Sequence, residues 1–123
     1  MDFDTLSKRV IGCAIEVHRE LGPGLLESTY EQCLAHEFCQ AGIDFRLQYP
    51  LPVKYKDAQL DCGYRIDVLV QDTLILELKC VESLLPIHEA QLLTYMKLAN
   101  IKTGLLINFN VLLLKSGIKR FVL

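Results

Sequence analysis

The chain has 123 residues, 51% of them apolar, and a formal net charge of −2 from 13 Lys and Arg against 15 Asp and Glu. This length supports one domain with a substantial core, and the apolar fraction excludes an intrinsically disordered chain. The mildly acidic balance excludes a strongly basic nucleic-acid-binding protein, so any contact with nucleic acid requires a local patch.

The amino-terminal sequence and the cysteines indicate a cytoplasmic protein. The segment MDFDTLSKRV lacks the basic start and apolar stretch of a secretory signal, and the longest uncharged run, residues 103–114, is too short to span a bilayer. The five cysteines are odd in number and include no CxxC pair, which argues against a disulfide framework. We therefore expect neither membrane contact nor disulfides.

Two helices are predicted before the first strand. Apolar residues recur at steps of three and four up to Leu21, a pattern typical of an amphipathic helix. Gly22-Pro23-Gly24 ends this helix, because glycine adopts the left-handed cap conformation and proline cannot continue the helix. A second helix is predicted from about Leu25 to Ala41. The apolar positions are Phe3, Leu6, Val10, Cys13, Ala14, Val17 and Leu21 in the first helix and Tyr30, Cys33, Leu34, Phe38 and Ala41 in the second.

From Ile43 onwards the apolar period changes to two, which predicts strands. Pro50 and Pro52 cannot both donate to a sheet, so the first strand is predicted to lie at an edge or to be interrupted there. The later strands are predicted over 60–70, 73–80, 104–109 and about 118–122, with a helix over about 87–100. This order predicts an α/β fold, with a mixed central sheet flanked by helices, in one domain over residues 1–123.

The strand segment LILELKC, residues 74–80, carries two charges in an otherwise apolar run. Side chains alternate along a strand, so Glu77 and Lys79 share one face and lie close to the core, where an unpaired charge is costly. Asp67 lies one predicted hairpin upstream. Two adjacent carboxylates repel each other, and a hard divalent cation such as Mg²⁺ (or Mn²⁺) relieves that repulsion. A nearby lysine can orient or deprotonate an attacking water, so the pattern suits phosphodiester hydrolysis.

This interpretation makes a geometric prediction about the turn between the two strands. Asp67 faces Glu77 only if the turn has an odd number of residues, such as 71–73. A two-residue turn at Gln71-Asp72 pairs Asp67 with Leu76 and sends the two carboxylates to opposite faces. We therefore predict an odd loop or a bulge.

Two further residue pairs have spacings that place them on one helix face. Gln91 and Tyr95 are four residues apart on the third helix, and Glu27 and Tyr30 are three apart on the second. Both pairs are predicted to hydrogen-bond catalytic residues or a phosphate. His88 is left open between a catalytic and a helix-capping role, and Arg65 is left open between a phosphate contact and an ion pair with Glu77.

Several segments together resemble the bacterial GxxExxY protein family, which is grouped with the PD-(D/E)XK nuclease superfamily. The segments are GLLESTY, GYRIDVLV, LELK, PIHEAQLLTYMK and GLLINFN. The resemblance implies a restriction-endonuclease-like αβββαβ core and a Mg²⁺-dependent nuclease that uses metal-activated water. It implies Asp67, Glu77 and the Leu78 carbonyl as metal ligands, with Lys79 as the residue that activates water.

The resemblance also assigns the helix residues. It implies Gln91 and Tyr95 as the Q-x-x-x-Y pair of the superfamily's exonuclease branch and Glu27 as a further ligand. Two features depart from the superfamily pattern. Ile66 stands where many members have proline, and the cysteine spacing does not match the iron–sulfur cluster of some relatives.

Two other functions remain open from the sequence. A non-catalytic binding or scaffold domain would keep the fold and is favoured by the mild acidity of the chain. Cys33, His36 and Cys39, at spacings of three, leave a zinc site as an alternative to buried thiols. Nucleic acid is the predicted partner in the leading interpretation, and the scarcity of basic residues leaves room for a homodimer or a partner protein.

Overall fold

The computed structural model describes residues 4–123, so Phe3, predicted on the first helix, lies outside the described residues. The helices are α1 (Thr5–Leu21), α2 (Glu27–Ala41) and α3 (Pro86–Ala99). The strands are β1 (Phe45–Pro50), β2 (Val53–Tyr55), β3 (Ala58–Leu60), β4 (Arg65–Val70), β5 (Leu74–Lys79), β6 (Thr103–Asn108) and β7 (Ile118–Val122). A short 3₁₀ turn, Leu114–Gly117, precedes β7.

As the sequence predicts, α1 ends at Leu21 and α2 ends at Ala41. The Asp4 carboxylate caps α1 by accepting a hydrogen bond from the Ser7 backbone N–H at 2.8 Å. Gly42 ends α2 in the left-handed conformation. No helix within residues 4–123 combines the length and apolar character needed to cross a bilayer.

Five strands form one sheet in the order β1-β4-β5-β6-β7. Neighbouring strands are antiparallel except β5 and β6, which are parallel and joined through α3. The apolar faces of α1 and α2 pack on one side of this sheet, and α3 packs on the other side. The predicted mixed sheet with helices on both faces is therefore confirmed.

The predicted strand over residues 60–70 is wrong, because it is broken at 61–64. Gly63 takes a positive φ of 81°, and its N–H donates to the Asp61 carboxylate at 3.0 Å, which makes a local turn. The residues before this turn form an exposed hairpin of β2 and β3, separate from the main sheet. The chain is interrupted after Pro50, and β1 is an edge strand, as predicted.

The loop before α2 is fixed by Tyr30, which the sequence paired with Glu27 as a candidate hydrogen-bonding residue of the site. Its ring is fully buried and stacks on Phe109 with centroids 4.4 Å apart. Its hydroxyl donates to the Gly22 carbonyl at 2.5 Å and accepts from the Leu25 N–H at 3.2 Å. Tyr30 therefore joins the loop to the sheet, and its hydroxyl bonds to backbone groups of the loop and not to a predicted catalytic residue.

The connection between β5 and α3 is held by the buried side chain of Asn108. Its Oδ1 accepts from the Val81 N–H at 3.1 Å, and its Nδ2 donates to the Val81 carbonyl at 2.9 Å. The backbone around Asn108 is also crowded, since a Cβ on Gly117 would collide with the Asn108 carbonyl oxygen. The absence of a side chain at Gly117 therefore allows the chain to pass close to the end of β6.

Replacing Gly117 with Ala should destabilise the protein by about 1–3 kcal/mol, because the backbone carbonyl that meets the new methyl group cannot move aside easily. Gly12→Ala is the matched control. Gly12 lies on α1, and a methyl group added there would have no neighbouring atom within 4 Å, so alanine should leave stability unchanged or raise it by up to about 1 kcal/mol. Urea unfolding measures both effects, and equal stabilities of the two variants would contradict the close contact.

Candidate active site

The hairpin of β4 and β5 brings Asp67 and Glu77 together. Val68 pairs with Leu76 across a turn of residues 71–73. The same register continued by one step places Asp67 opposite Glu77. The predicted odd loop is therefore confirmed.

Beyond Val68 the backbone pairing of β4 and β5 stops, and carboxyl groups take its place. The Leu78 N–H donates to Asp67 Oδ2 at 2.8 Å, and the Asp67 N–H donates to Glu77 Oε1 at 3.4 Å. The Lys79 carbonyl accepts from Phe109 on the β6 side. Because backbone groups alternate in direction along a strand, the Leu78 carbonyl points the other way, into the gap between β4 and β5 beside Asp67.

Glu77 is a buried carboxyl, with only 4% of its surface exposed. Burial is the largest cause that raises the pKa of Glu77 from 4.5 to about 9, and the adjacent Asp67 carboxyl contributes to the same shift. Glu77 is therefore protonated at neutral pH when no cation is bound. A neutral carboxyl explains how an apolar strand accommodates this residue.

The oxygen atoms at the gap fit a hard divalent cation. Two carboxyl groups and one backbone carbonyl are the ligand types that Mg²⁺ and Mn²⁺ prefer, and a cation would relieve the repulsion that keeps Glu77 protonated. Within residues 4–123, no three His, Cys, Asp or Glu side chains are clustered closely enough to bind a metal by themselves. The candidate ligand set therefore depends on Asp67, Glu77 and the Leu78 carbonyl.

Lys79 is connected to α3 by one hydrogen bond, and a second bond within α3 orients its acceptor. Its Nζ donates to Gln91 Oε1 at 3.4 Å, and Gln91 Nε2 donates to the Tyr95 hydroxyl at 3.2 Å. Tyr95 is buried, and burial raises the pKa of its hydroxyl, which keeps that group protonated. The four-residue spacing of Gln91 and Tyr95 thus places both side chains beside Lys79.

Glu27, the first residue of α2, approaches the same place from the other face of the sheet. Although the residue as a whole is exposed, burial raises the pKa of its carboxyl, and both Lys79 and Asp67 lie close enough to shift it. The Cys80 N–H also interacts with this carboxyl. The structure therefore brings all seven predicted site residues to one end of the sheet.

Two residues at this site were missed by the sequence interpretation. A cavity of about 210 Å³ is lined by Glu27, Ser28, Glu31, Gln48, Asp67 and Leu78. Glu31 is buried, and its carboxylate accepts a hydrogen bond from Gln48 Nε2 at 2.7 Å. The spacing of Glu31, four residues after Glu27, was a usable signal for one helix face. No sequence pattern distinguishes Gln48.

The other candidates make the following contacts. His88 caps α3, where its Nδ1 accepts from the Leu85 N–H at 3.0 Å. Arg65 lies 3.9 Å from Asp61 and forms no ion pair with Glu77. Cys33 packs against the core, whereas His36 and Cys39 are exposed, so the three do not converge as a zinc site. All five cysteines are free thiols, but Cys39 is exposed, so its interpretation as a buried thiol is wrong.

Comparison with known proteins adds one finding. A sequence model described as the PD-(D/E)XK nuclease superfamily matches residues 4–121, a range that includes every residue of the candidate site. No curated protein and no solved structure matches this chain significantly.

The raised pKa of Glu77 predicts how stability depends on pH in the presence of EDTA. A carboxyl whose folded-state pKa is about 9 stabilises the fold fully below its usual value of 4.5, and that contribution is lost as the pH rises towards 9. Relative to Glu77→Gln, the free energy of unfolding of the wild type should fall by at most ~1.4 kcal/mol per pH unit in this window.

Urea unfolding from pH 5 to pH 8 measures the difference. The exposed Glu82→Gln variant is the control and should keep the wild-type pH dependence. Parallel curves for wild type and Glu77→Gln would show that Glu77 is ionised in the folded protein.

Proposed function

This chain belongs to the PD-(D/E)XK nuclease superfamily, and from that premise we propose that it is a Mg²⁺-dependent nuclease or related phosphodiesterase acting on nucleic acid. The observation that carries the proposal is the meeting of the Asp67 and Glu77 carboxyls, beside Lys79, where β4 and β5 separate. A fold without this activity has no evident need for two adjacent carboxyl groups, one of them buried, at the end of its central strands.

Asp67, Glu77 and the Leu78 carbonyl would hold the cation, Mg²⁺ or Mn²⁺. The bound cation supplies Lewis-acid chemistry and positive charge at the phosphate. Before the site can bind a cation fully, the Glu77 carboxyl must lose its proton, because a protonated carboxyl is a poor ligand.

Lys79 supplies the second positive charge of the proposed site. Its ammonium group can orient the attacking water and neutralise charge that develops on the phosphate. The Tyr95 hydroxyl accepts from the amide nitrogen of Gln91, which turns the amide oxygen towards Lys79. Glu27 adds a carboxyl on the opposite side of the gap, where it completes the polar shell.

The proposal also covers the cellular compartment, the substrate and a possible partner. Five free thiols suit a reducing compartment, so we assign the protein to the cytoplasm. The substrate is DNA or RNA. Because the chain has a net charge of −2, a second copy or a partner protein would supply part of the basic surface that a polyanion requires.

Replacing Asp67 with Asn should weaken Mn²⁺ binding at least tenfold, because the variant removes a charged ligand while an amide oxygen can still accept from Leu78. Isothermal titration calorimetry measures the affinity. Asp72→Asn is the matched control, since Asp72 lies in the turn of the same hairpin and pairs with Arg46 at 3.7 Å. The absence of saturable binding to the wild type would favour the scaffold alternative.

Lys79→Met should reduce Mg²⁺-dependent cleavage of nucleic acid by roughly 10²-fold or more, since a charge that acts in the transition state is removed. Cleavage of single- and double-stranded DNA and RNA, with MgCl₂ or with EDTA, is followed on gels. Lys97→Met, on the exposed side of α3, should cleave as the wild type does. Equal cleavage by Lys79→Met and wild type would exclude this mechanism.

A further inference from the structure

Gln48 adopts a backbone conformation that is uncommon for its residue type. Its φ is 49°, in the left-handed region, although it lies in the middle of β1. On either side of it the strands pair regularly, Leu47 with Val68 and Tyr49 with Ile66. The same register places Gln48 opposite Asp67, and this is the one position within the ladder where the pairing is missing. The irregularity thus coincides with a candidate metal ligand.

Both strands change face at this position. Leu47 and Val68 pack in the core beneath α1 and α2, whereas Tyr49 and Ile66 pack in the core beneath α3. Residues two apart in a regular strand share one face. The left-handed conformation of Gln48 reverses the sheet face to which the following side chains of β1 point. The side chains of β4 reverse at the same position, because the two strands keep the same register before and after Gln48.

The reversal determines where the Asp67 side chain can lie. Its neighbours in sequence, Ile66 and Val68, point to opposite faces of the sheet. Asp67 lies at the crossover and directs its carboxylate towards β5, where Oδ2 accepts the Leu78 N–H at 2.8 Å. A regular strand would have directed this carboxylate to one face of the sheet, away from the Leu78 N–H.

The Gln48 side chain anchors this arrangement to α2. Its Nε2 donates to Glu31 Oε1 at 2.7 Å, and Glu31 is a buried residue of the helix that also carries Glu27. Gln48, Glu31 and Asp67 line the same cavity of about 210 Å³. A left-handed residue that is not glycine persists only where its surroundings hold it, and such residues cluster at functional sites.

We propose that Gln48 is a positioning residue of the active site: its left-handed backbone, anchored by the hydrogen bond to Glu31, reverses β1 and β4 and thereby places the Asp67 carboxylate against Leu78. Its importance for catalysis rests on the function proposed above. The placement of Asp67 is a property of the metal-free protein and is tested separately.

Hydrogen exchange of the Leu78 amide, followed by NMR in EDTA, reports on the placement directly. Asp67→Ala, which removes the acceptor, defines the exchange rate without the bond. Gln48→Val should accelerate exchange at Leu78 at least tenfold, because a β-branched residue does not tolerate a positive φ. Gln48→Gly accepts this conformation but removes the hydrogen bond to Glu31, so it should accelerate exchange at Leu78 less than Gln48→Val does.

Gln71→Val is the matched control for a loss of stability. Gln71 has the same residue type and the same φ of 49°, but lies in the turn between β4 and β5. The Gln71→Val variant should leave the protection of the Leu78 amide unchanged. If Gln48→Val does not fold, Gln48→Ala replaces it, since alanine also disfavours the left-handed region. Wild-type protection of Leu78 in the folded Val or Ala variant would overturn the proposal.

Mn²⁺ titration of the same variants connects the placement with the site. Gln48→Val should bind Mn²⁺ at least tenfold more weakly than wild type, and Gln71→Val should bind it equally well. If Gln48→Val loses Leu78 protection but binds Mn²⁺ as wild type does, the proposed role in the active site is overturned. If wild type binds no Mn²⁺, the nuclease function fails, and Leu78 exchange still decides whether Gln48 positions Asp67.

Discussion

The hydrogen bond from the Leu78 N–H to the Asp67 carboxylate is the interaction on which the candidate site at the end of the sheet depends. A central strand normally satisfies its N–H groups through the neighbouring backbone. Here the Asp67 side chain accepts the Leu78 N–H instead. The strands β4 and β5 can therefore separate while the Leu78 N–H keeps a partner. The separation makes room for two carboxyls and a carbonyl in one gap.

Three layers of the fold meet at this gap. The sheet provides Asp67 and Glu77, α3 holds Lys79 through Gln91, and the first turn of α2 brings Glu27. The connections that hold these layers are themselves buried and polar. Asn108 fixes the chain that enters α3, and Tyr30 fixes the loop that enters α2. Mutations at these two residues would therefore affect the site without touching it.

Much of this arrangement could be predicted from the sequence because it depends on simple periodicities. Strand alternation places Glu77 and Lys79 together, the parity of the turn places Asp67 opposite Glu77, and helical spacing places Gln91 beside Tyr95. The missed features depend on contacts distant in sequence. Gln48 has a left-handed backbone within a strand and bonds to Glu31, 17 residues away, and Tyr30 bonds to a loop carbonyl that no local pattern marks.

The three-residue turn 71–73 lies on the exposed surface at the far end of the hairpin from Asp67. Surface turns usually accept insertions and deletions freely. In this hairpin, adding or removing a single residue would exchange which side of β5 meets the Asp67 carboxylate, whereas adding two would preserve it. The length of this surface turn is therefore restricted in steps of two by the placement of two carboxyl groups several residues away.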